Sequence, residues 1–264
     1  MIVRGKRLLF LEERQSKILE MLNRDGKVLV KELAEIFGVT EDSIRKDLSS
    51  LELDGKLKRT YGGAVTIEEK LQMTEANRRR ISDVEAKRKI AATAVKLIKP
   101  QDLIFLDIST ISIAIAQILE KTETNYKILT NMVDVLVILA RNPKINLLFA
   151  GGQINQSRDG FSDALNLEFI SNFRPDISFI GAFGVDLKKN SLTSRDTAGG
   201  IHKSRMIEFS KSSYIIAESR KIGVVGTYNF STINKVNGII TEANLPNNLL
   251  AEAKKLGVEI IFAD

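Results

Sequence analysis

The sequence predicts an α/β protein in two parts: a small helical N-terminal unit ending in a hairpin, then a longer, mostly parallel α/β domain. Three observations carry this. From Gln101 onward, short apolar runs alternate with helical stretches. Before that, Glu12 to Thr66 reads as three short amphipathic helices and a Gly-containing hairpin. The charge is also uneven along the 264 residues, whose formal net charge is +6. Up to Thr66 there are 13 Lys+Arg against 11 Asp+Glu. Residues 67–100 carry 9 against 5, and the remainder carries 17 against 17. An excess confined to the N-terminal third suits an anionic partner there and leaves the α/β domain neutral.

The composition excludes much chemistry. There is no Cys and a single His, so disulfides, thiolate catalysis, Cys-type zinc sites and multi-histidine metal clusters are ruled out. No cofactor or metal is expected. Carboxylates, Lys, Ser/Thr, backbone amides and one imidazole remain. The apolar run Leu8–Leu11 is broken at once by Glu12, Glu13 and Arg14, too early for a signal peptide. No stretch approaches the ~20 apolar residues of a membrane span. The expectation is a cytoplasmic protein with no membrane partner.

The first helix spans about Glu12 to Arg24, with Ile18, Leu19 and Leu22 on one face and Gly26 as its stop. Val28-Leu29-Val30 leads into a second helix, Lys31 to Phe37, closed by Gly38. Thr40 then caps a third, with Glu41 and Asp42 in the first turn, where acids suit the helix dipole. Ile44, Leu48 and Leu51 recur at i, i+4, i+7 and face a core, which turns Ser43, Arg45 and Lys46 outward. Two short helices, a Gly turn and a third helix with an exposed basic face form a helix-turn-helix layout. Gly55 to Val65 follows as two short strands around a tight turn, a wing carrying Lys56, Lys58 and Arg59. Those cations suit phosphates, while Ser43, Arg45 and Lys46 suit base edges.

The series Arg14, Ile18, Leu22, Gly26, Val28, Leu33-Ala34, Phe37, Val39-Thr40, Ser43-Ile44-Arg45, Asp47-Leu48, Leu51, Gly55, Leu57, Arg59, Gly62-Gly63-Ala64 resembles the winged helix-turn-helix of the DeoR family of bacterial transcription regulators. It covers some fifty positions at fixed spacing. Thr40, Ser43 and Lys46 stand where that family usually has Ser, Thr and Arg. The resemblance implies double-stranded operator DNA as partner. It makes Thr40, Ser43, Arg45, Lys46, Lys56, Lys58 and Arg59 the candidate DNA-binding residues.

Residues 67–100 form a basic helical connector containing Arg78-Arg79-Arg80 and Lys87-Arg88-Lys89. An apolar stripe of Ile90, Ala94, Leu97 and Ile98 runs along it to Pro100. The charges read as a solvated face. The resemblance singles out Lys87 alone: family members, and the phosphopentose isomerases their effector domain is similar to, place a Lys near this helix that points at the ligand phosphate.

Residues 101–264 give strands at Leu103–Leu106, Lys127–Thr130, Ile145–Ala150, Ile177–Gly181, Tyr214–Ala217, Gly238–Thr241 and Glu259–Phe262. Helices intervene at Ser112–Leu119, Val133–Ala140, Asp163–Phe173, Thr197–Phe209 and Asn247–Leu256. Ligands of such sheets bind at the strands' carboxyl ends. There stand Asp107, Ser109 and Thr110 after the first strand, Asn131 after the second and Gly151 and Gly152 after the third. Asp186 follows the fourth and Lys221 the fifth. Ser109 and Thr110 open a helix whose free amides suit an anion. These residues, with Lys87, are the candidate effector-binding set. Leu106–Ile111, Thr130-Asn131, Gly151-Gly152, Gly181–Asp186 and Glu218–Gly223 are similar to later blocks of the same family. The resemblance implies a sensor of a phosphorylated sugar or related metabolite, and a homo-oligomeric repressor released by it. Ile108, Ser109, Ile111 and Glu218 depart from the family pattern and point to a different metabolite or weaker binding. The rival reading is a phosphosugar isomerase with a DNA-binding appendage. Phe183 stands where isomerases carry an acid, and no carboxylate lies between Thr197 and Ile207. His202 in that window reads as an ordinary surface or packed residue. The expectation is a binding protein without catalytic residues.

Overall fold

A computed structural model describes residues 11–65 and 79–264. The start of the expected connector, Ile67 to Arg78, lies outside the described residues. Contacts divide the chain into two units, Met1–Asn77 and Arg78–Asp264.

In the first unit, α1 (Leu11–Asp25), α2 (Val30–Phe37) and α3 (Glu41–Leu53) surround a core of Ile18, Leu22, Leu33, Ile44, Leu48 and Leu51. Gly38 ends α2 in the left-handed conformation, and Thr40 Oγ1 caps α3 by accepting from the Ser43 amide. The wing, β2 (Lys58–Thr60) and β3 (Gly63–Val65), gains a third strand that the sequence pattern did not disclose. This is β1 (Lys27–Leu29), paired antiparallel with β3. A Cβ on Gly63 would lie 2.0 Å from the Val28 carbonyl oxygen, so only glycine lets these strands close.

In the second unit, α4 (Val84–Val95) buries Ile90, Ala91 and Ala94, so the stripe of the expected connector packs within the α/β unit's own core. The remaining elements are β4 (Leu103–Leu106), α5 (Thr110–Leu119), β5 (Tyr126–Thr130), α6 (Val133–Leu139), β6 (Ile145–Phe149), α7 (Ala164–Ile170), β7 (Ile177–Gly181), β8 (Gly184–Asp186), β9 (Ser191–Ser194), α8 (Thr197–Phe209), β10 (Ser212–Ile216), β11 (Tyr228–Ser231), β12 (Gly238–Thr241), α9 (Asn247–Lys255) and β13 (Glu259–Phe262). Seven strands form one sheet, order β13-β12-β10-β7-β4-β5-β6, with every pairing parallel. One hydrophobic cluster lies on each face, as a parallel sheet requires. β8, β9 and β11 make a separate antiparallel sheet, order β11-β9-β8. From β4 the chain steps outward to β5 and β6, then returns to place β7 on the other side of β4. The carboxyl ends of β4 and β7 therefore flank a topological switch point, where open α/β sheets bind ligands. No helix among the described residues is long and apolar enough to cross a membrane.

Candidate nucleic-acid interface and ligand site

On α3 the burial of Ile44, Leu48 and Leu51 leaves Arg45 and Lys46 exposed. Each is steadied by an acid one turn earlier: Arg45 Nη2 lies 2.6 Å from Glu41 Oε2 and Lys46 Nζ 3.5 Å from Asp42 Oδ2. Such exposed pairs are worth only ~0.3–0.5 kcal/mol, so a phosphate or base edge displaces them at little cost. Thr40 Oγ1 and Ser43 Oγ stand 3.0 Å apart at the start of the helix. The wing is fastened to α3. Glu52 Oε1 accepts from the Arg59 amide at 3.0 Å and from Lys58 Nζ at 3.0 Å. The Arg59 guanidinium donates to Ser49 Oγ, which itself donates to the Arg45 carbonyl. Lys56 pairs with Asp54 at 3.3 Å. Arg45, Lys58 and Arg59 are thus joined through α3, Thr40 and Ser43 stand at its start, and Lys56 lies between helix and wing.

This arrangement depends on a pair absent from the candidate set. Asp47 is 2% exposed, and Arg14 of α1 grips it with two hydrogen bonds, Nε to Oδ2 at 2.5 Å and Nη2 to Oδ1 at 3.1 Å. The hydrogen bond and charge of Asp47 outweigh burial and raise the Arg14 pKa above its ordinary value. The pair ties α1 to the hidden face of α3 and so sets how Arg45 and Lys46 are presented.

At the switch point Asp107 is buried beyond β4. Its Oδ2 accepts from the Gly181 amide at 2.9 Å, bridging the ends of β4 and β7, and pairs with Lys203 Nζ from α8. Ser109 caps α5 by accepting from the Ile111 amide at 3.2 Å. It lies so close to β7 that a Cβ on Gly181 would come within 2.8 Å of Ser109 Cβ. Thr110 opens α5, half-buried. Asn131, buried after β5, donates through Nδ2 to the Phe161 carbonyl at 2.9 Å. Gly151 and Gly152 are exposed beyond β6, where Asn166 Nδ2 donates to the Gly151 carbonyl at 3.1 Å.

A second charged group gathers after β10. Glu218, 2% exposed, takes Lys221 Nζ on Oε2 at 2.7 Å and Arg220 Nη2 on Oε1 at 3.2 Å. Burial pushes the Glu218 carboxyl up, but Lys221 and Arg220 together hold it below the usual carboxylate range. Burial pushes the Lys221 ammonium down, against the pull of Glu218. Lys87, 3% exposed on α4, donates to the carbonyls of Arg79 and Ser82. Burial lowers its pKa too, and it lies near enough to Glu218 and Lys221 for their charges to act on it.

Asp186 ends β8, whose Val185 carbonyl accepts from the Gly223 amide at 2.7 Å, just past Lys221. Its Oδ1 accepts from the Lys188 and Lys189 amides at 3.0 and 3.1 Å, which makes it a turn residue at the end of β8. It lines a shallow cavity of about 340 Å³ with Lys188, Gly223, Pro246 and Leu249. Two residues that pair with members of the candidate set were missing from it: Lys203, bound to Asp107, and Glu218, bound to Lys221. Lys203 and Asp107 are separated by 96 residues, a pairing no local pattern announces. Glu218 was legible as the acid three residues before Lys221. Phe183 carries the Arg195 guanidinium 4.5 Å above its ring, a contact between side chains with no acid–base chemistry to offer.

Comparison with known proteins completes the picture. Residues 14–70 match the model of the DeoR-like helix-turn-helix domain, and residues 82–243 that of the DeoR C-terminal sensor domain. The regulator YulB of Bacillus subtilis is 32% identical over 94% of this chain and 96% of its own. The glycerol-3-phosphate regulon repressor of Escherichia coli is 29% identical over 90% and 93%. Among solved structures, ribose-5-phosphate isomerase from Methanocaldococcus jannaschii aligns over 53% of this chain and 55% of its own, with 16% identity and a TM-score of 0.40. Two domain matches in the right order, over a winged N-terminal unit and a parallel α/β unit, establish that the chain belongs to the DeoR family of transcriptional regulators.

Proposed function

We propose that the chain is a repressor of genes for carbohydrate or polyol metabolism, released from its operator by a phosphorylated sugar or related metabolite. The winged unit would lay α3 in the major groove, with Ser43, Arg45 and Lys46 towards base edges. Thr40 and the wing residues Lys56, Lys58 and Arg59 would hold phosphates. Homo-oligomerisation would present two or more such heads to repeated half-sites. The glycerol-3-phosphate regulon repressor, a relative over nearly its whole length, is named for a polyol phosphate.

One observation carries the ligand reading: Lys87 is buried, and Lys203 and Lys221 are largely withdrawn from water, around the carboxyl ends of the strands. Burial disfavours the ammonium form of Lys87 and Lys221. An anion there would offset that cost, helped by the capped start of α5. Lys87 also offers a route outward, because the carbonyls it holds, Arg79 and Ser82, belong to the segment that follows the winged unit in sequence. An anion that drew Lys87 away would loosen that segment, and by linkage operator and ligand would then oppose each other. The domain binds without turnover in this reading, since Asp107 and Glu218 are both committed to lysines rather than free to move a proton.

A thermal-shift screen of the full chain against phosphorylated sugars and polyols tests this. A ligand of the folded state raises Tm, and Lys221→Ala should abolish the rise. Aldose–ketose isomerisation by the purified protein would overturn the binding-only reading.

A further inference from the structure

We infer that the chain's single histidine, His202, acts with Asn131 to accept hydrogen bonds from hydroxyl groups of the ligand. This inference rests on the ligand reading of the strand-end site proposed above and says which part of the ligand is read, and by what.

His202 lies on α8 and is 3% exposed. Its Nδ1 stands 2.8 Å from the Ala198 carbonyl oxygen one turn earlier. A carbonyl oxygen only accepts, so Nδ1 carries the ring proton, and in the neutral imidazole Nε2 is a bare acceptor. Nε2 is buried and has no hydrogen-bond partner among the described residues. The same logic fixes the amide of Asn131, 1% exposed. Its Nδ2 donates to the Phe161 carbonyl, so Oδ1 is the acceptor, and Oδ1 too is buried without a partner among the described residues. Buried acceptors are nearly always satisfied, and those left over call for a donor from outside the chain.

The two acceptors belong to one place. Asn131 follows β5 directly and is stapled to Phe161. β4 and β5 pair at Leu106 and Thr130, so Asn131 and Asp107 are neighbours at the strand ends. The residue after His202 is Lys203, whose ammonium reaches Asp107 at the switch point. A phosphate dianion brings no donor to such atoms, whereas hydroxyls do. The site therefore divides its work: lysines hold the anionic end, and His202 Nε2 and Asn131 Oδ1 read the hydroxylated end. A site built to bond a hydroxyl rejects the analogue that lacks it.

The test uses the full chain with ¹⁵N-labelled histidine, which yields one imidazole and therefore one Nε2 and one Nδ1 resonance. The titrants are sugar and polyol phosphates of three to six carbons, the n-alkyl phosphates of matching length, and inorganic phosphate. The expected result has three parts. A polyol or sugar phosphate binds at least about tenfold more tightly than its alkyl match. Its binding moves Nε2 and leaves Nδ1 in place. His202→Leu lowers its affinity to that of the alkyl phosphate without changing the affinity for inorganic phosphate, and His202→Gln, which keeps an acceptor, retains part of the preference. The wild-type resonances read the acceptor directly, so the assignment is tested even where a variant fails to fold. Equal binding of polyol and alkyl phosphates, or an unmoved Nε2, overturns the hydroxyl assignment while leaving the anion site intact. Binding by none of the titrants overturns both this inference and the ligand reading beneath it.

Discussion

Removing the Asp47 carboxylate should disable the winged unit although Asp47 lies on the buried side of α3, away from the exposed Arg45 and Lys46. The pair it forms with Arg14 is enclosed, with side-chain exposures of 12% for Arg14 and 2% for Asp47. Asp47→Ala leaves a guanidinium without its counter-charge against an apolar core of Ile18, Leu48 and Leu51. Breaking such a pair from one side costs about 3–5 kcal/mol. A domain of this size has on the order of 5 kcal/mol to lose. Hydrogen exchange by peptide in the full chain checks this. Peptides of α1 and α3 should exchange roughly 10²–10³-fold faster, since each 1.4 kcal/mol is a decade, with peptides of β4 and β7 as internal reference. Arg14→Met combined with Asp47→Leu, which removes both charges, should recover most of the protection. If Asp47→Ala left the exchange of α3 within twofold of the parent, the pair would be no anchor and the reasoning would fail.

The remaining predictions concern DNA and acid. Arg45→Ala should cost about 1–3 kcal/mol of operator affinity and relax sequence preference, whereas Lys58→Ala should weaken all sequences alike and reduce the salt slope by about one. Equal effects of the two on specific and non-specific DNA, in a fluorescence titration at fixed salt, would refute the division between helix and wing. Glu218 and Asp176 are both held below the usual carboxylate range, Glu218 by Lys221 and Arg220 against its burial, Asp176 first by its hydrogen bond from Lys211. A folded value below the unfolded one helps folding above the unfolded pKa of about 4 and withdraws that help as pH falls through the folded value. Tm should therefore fall between about pH 5 and pH 3, and Glu218→Gln should lower Tm at neutral pH while flattening this acid limb. A limb unchanged in the variant would remove Glu218 from the account.

What could be read from the sequence was what short-range physics writes there. The inner strands of the parallel sheet are buried on both faces and appear as largely apolar runs, as Ile177–Gly181 does with every residue buried, while the edge strands β6 and β13 are only partly covered. Ser109, Thr40 and Gly38 betray helix ends because capping is local chemistry. β9 is Ser191-Leu192-Thr193-Ser194 and β8 is Gly184-Val185-Asp186; neither alternates over enough residues to register as a strand. β1 is equally short and exists through its pairing with β3. Arg14–Asp47 and Lys203–Asp107 join residues 33 and 96 apart, so their partners could be found only in the fold. Asp186 ends β8, a strand of the separate antiparallel sheet, and the turn in which its Oδ1 takes two backbone amides is set by that sheet rather than by the parallel one.

The charge balance from Gln101 on also takes on a different meaning once the pairs are assigned. Seventeen charges of each sign from Gln101 on suggest no ligand charge at all. At the strand ends, however, Asp107 answers Lys203 and Glu218 answers Lys221. Lys87 is met by two carbonyl oxygens and, among the described residues, by no carboxylate at hydrogen-bond distance. Lys87 comes from α4, outside that balanced stretch but inside the α/β unit, which from Arg78 on carries 25 Lys+Arg against 19 Asp+Glu. Bulk charge therefore locates the anion site no better than it locates the DNA surface. In both units the chemistry depends on where the fold places each cation and on how firmly a carboxylate already holds it.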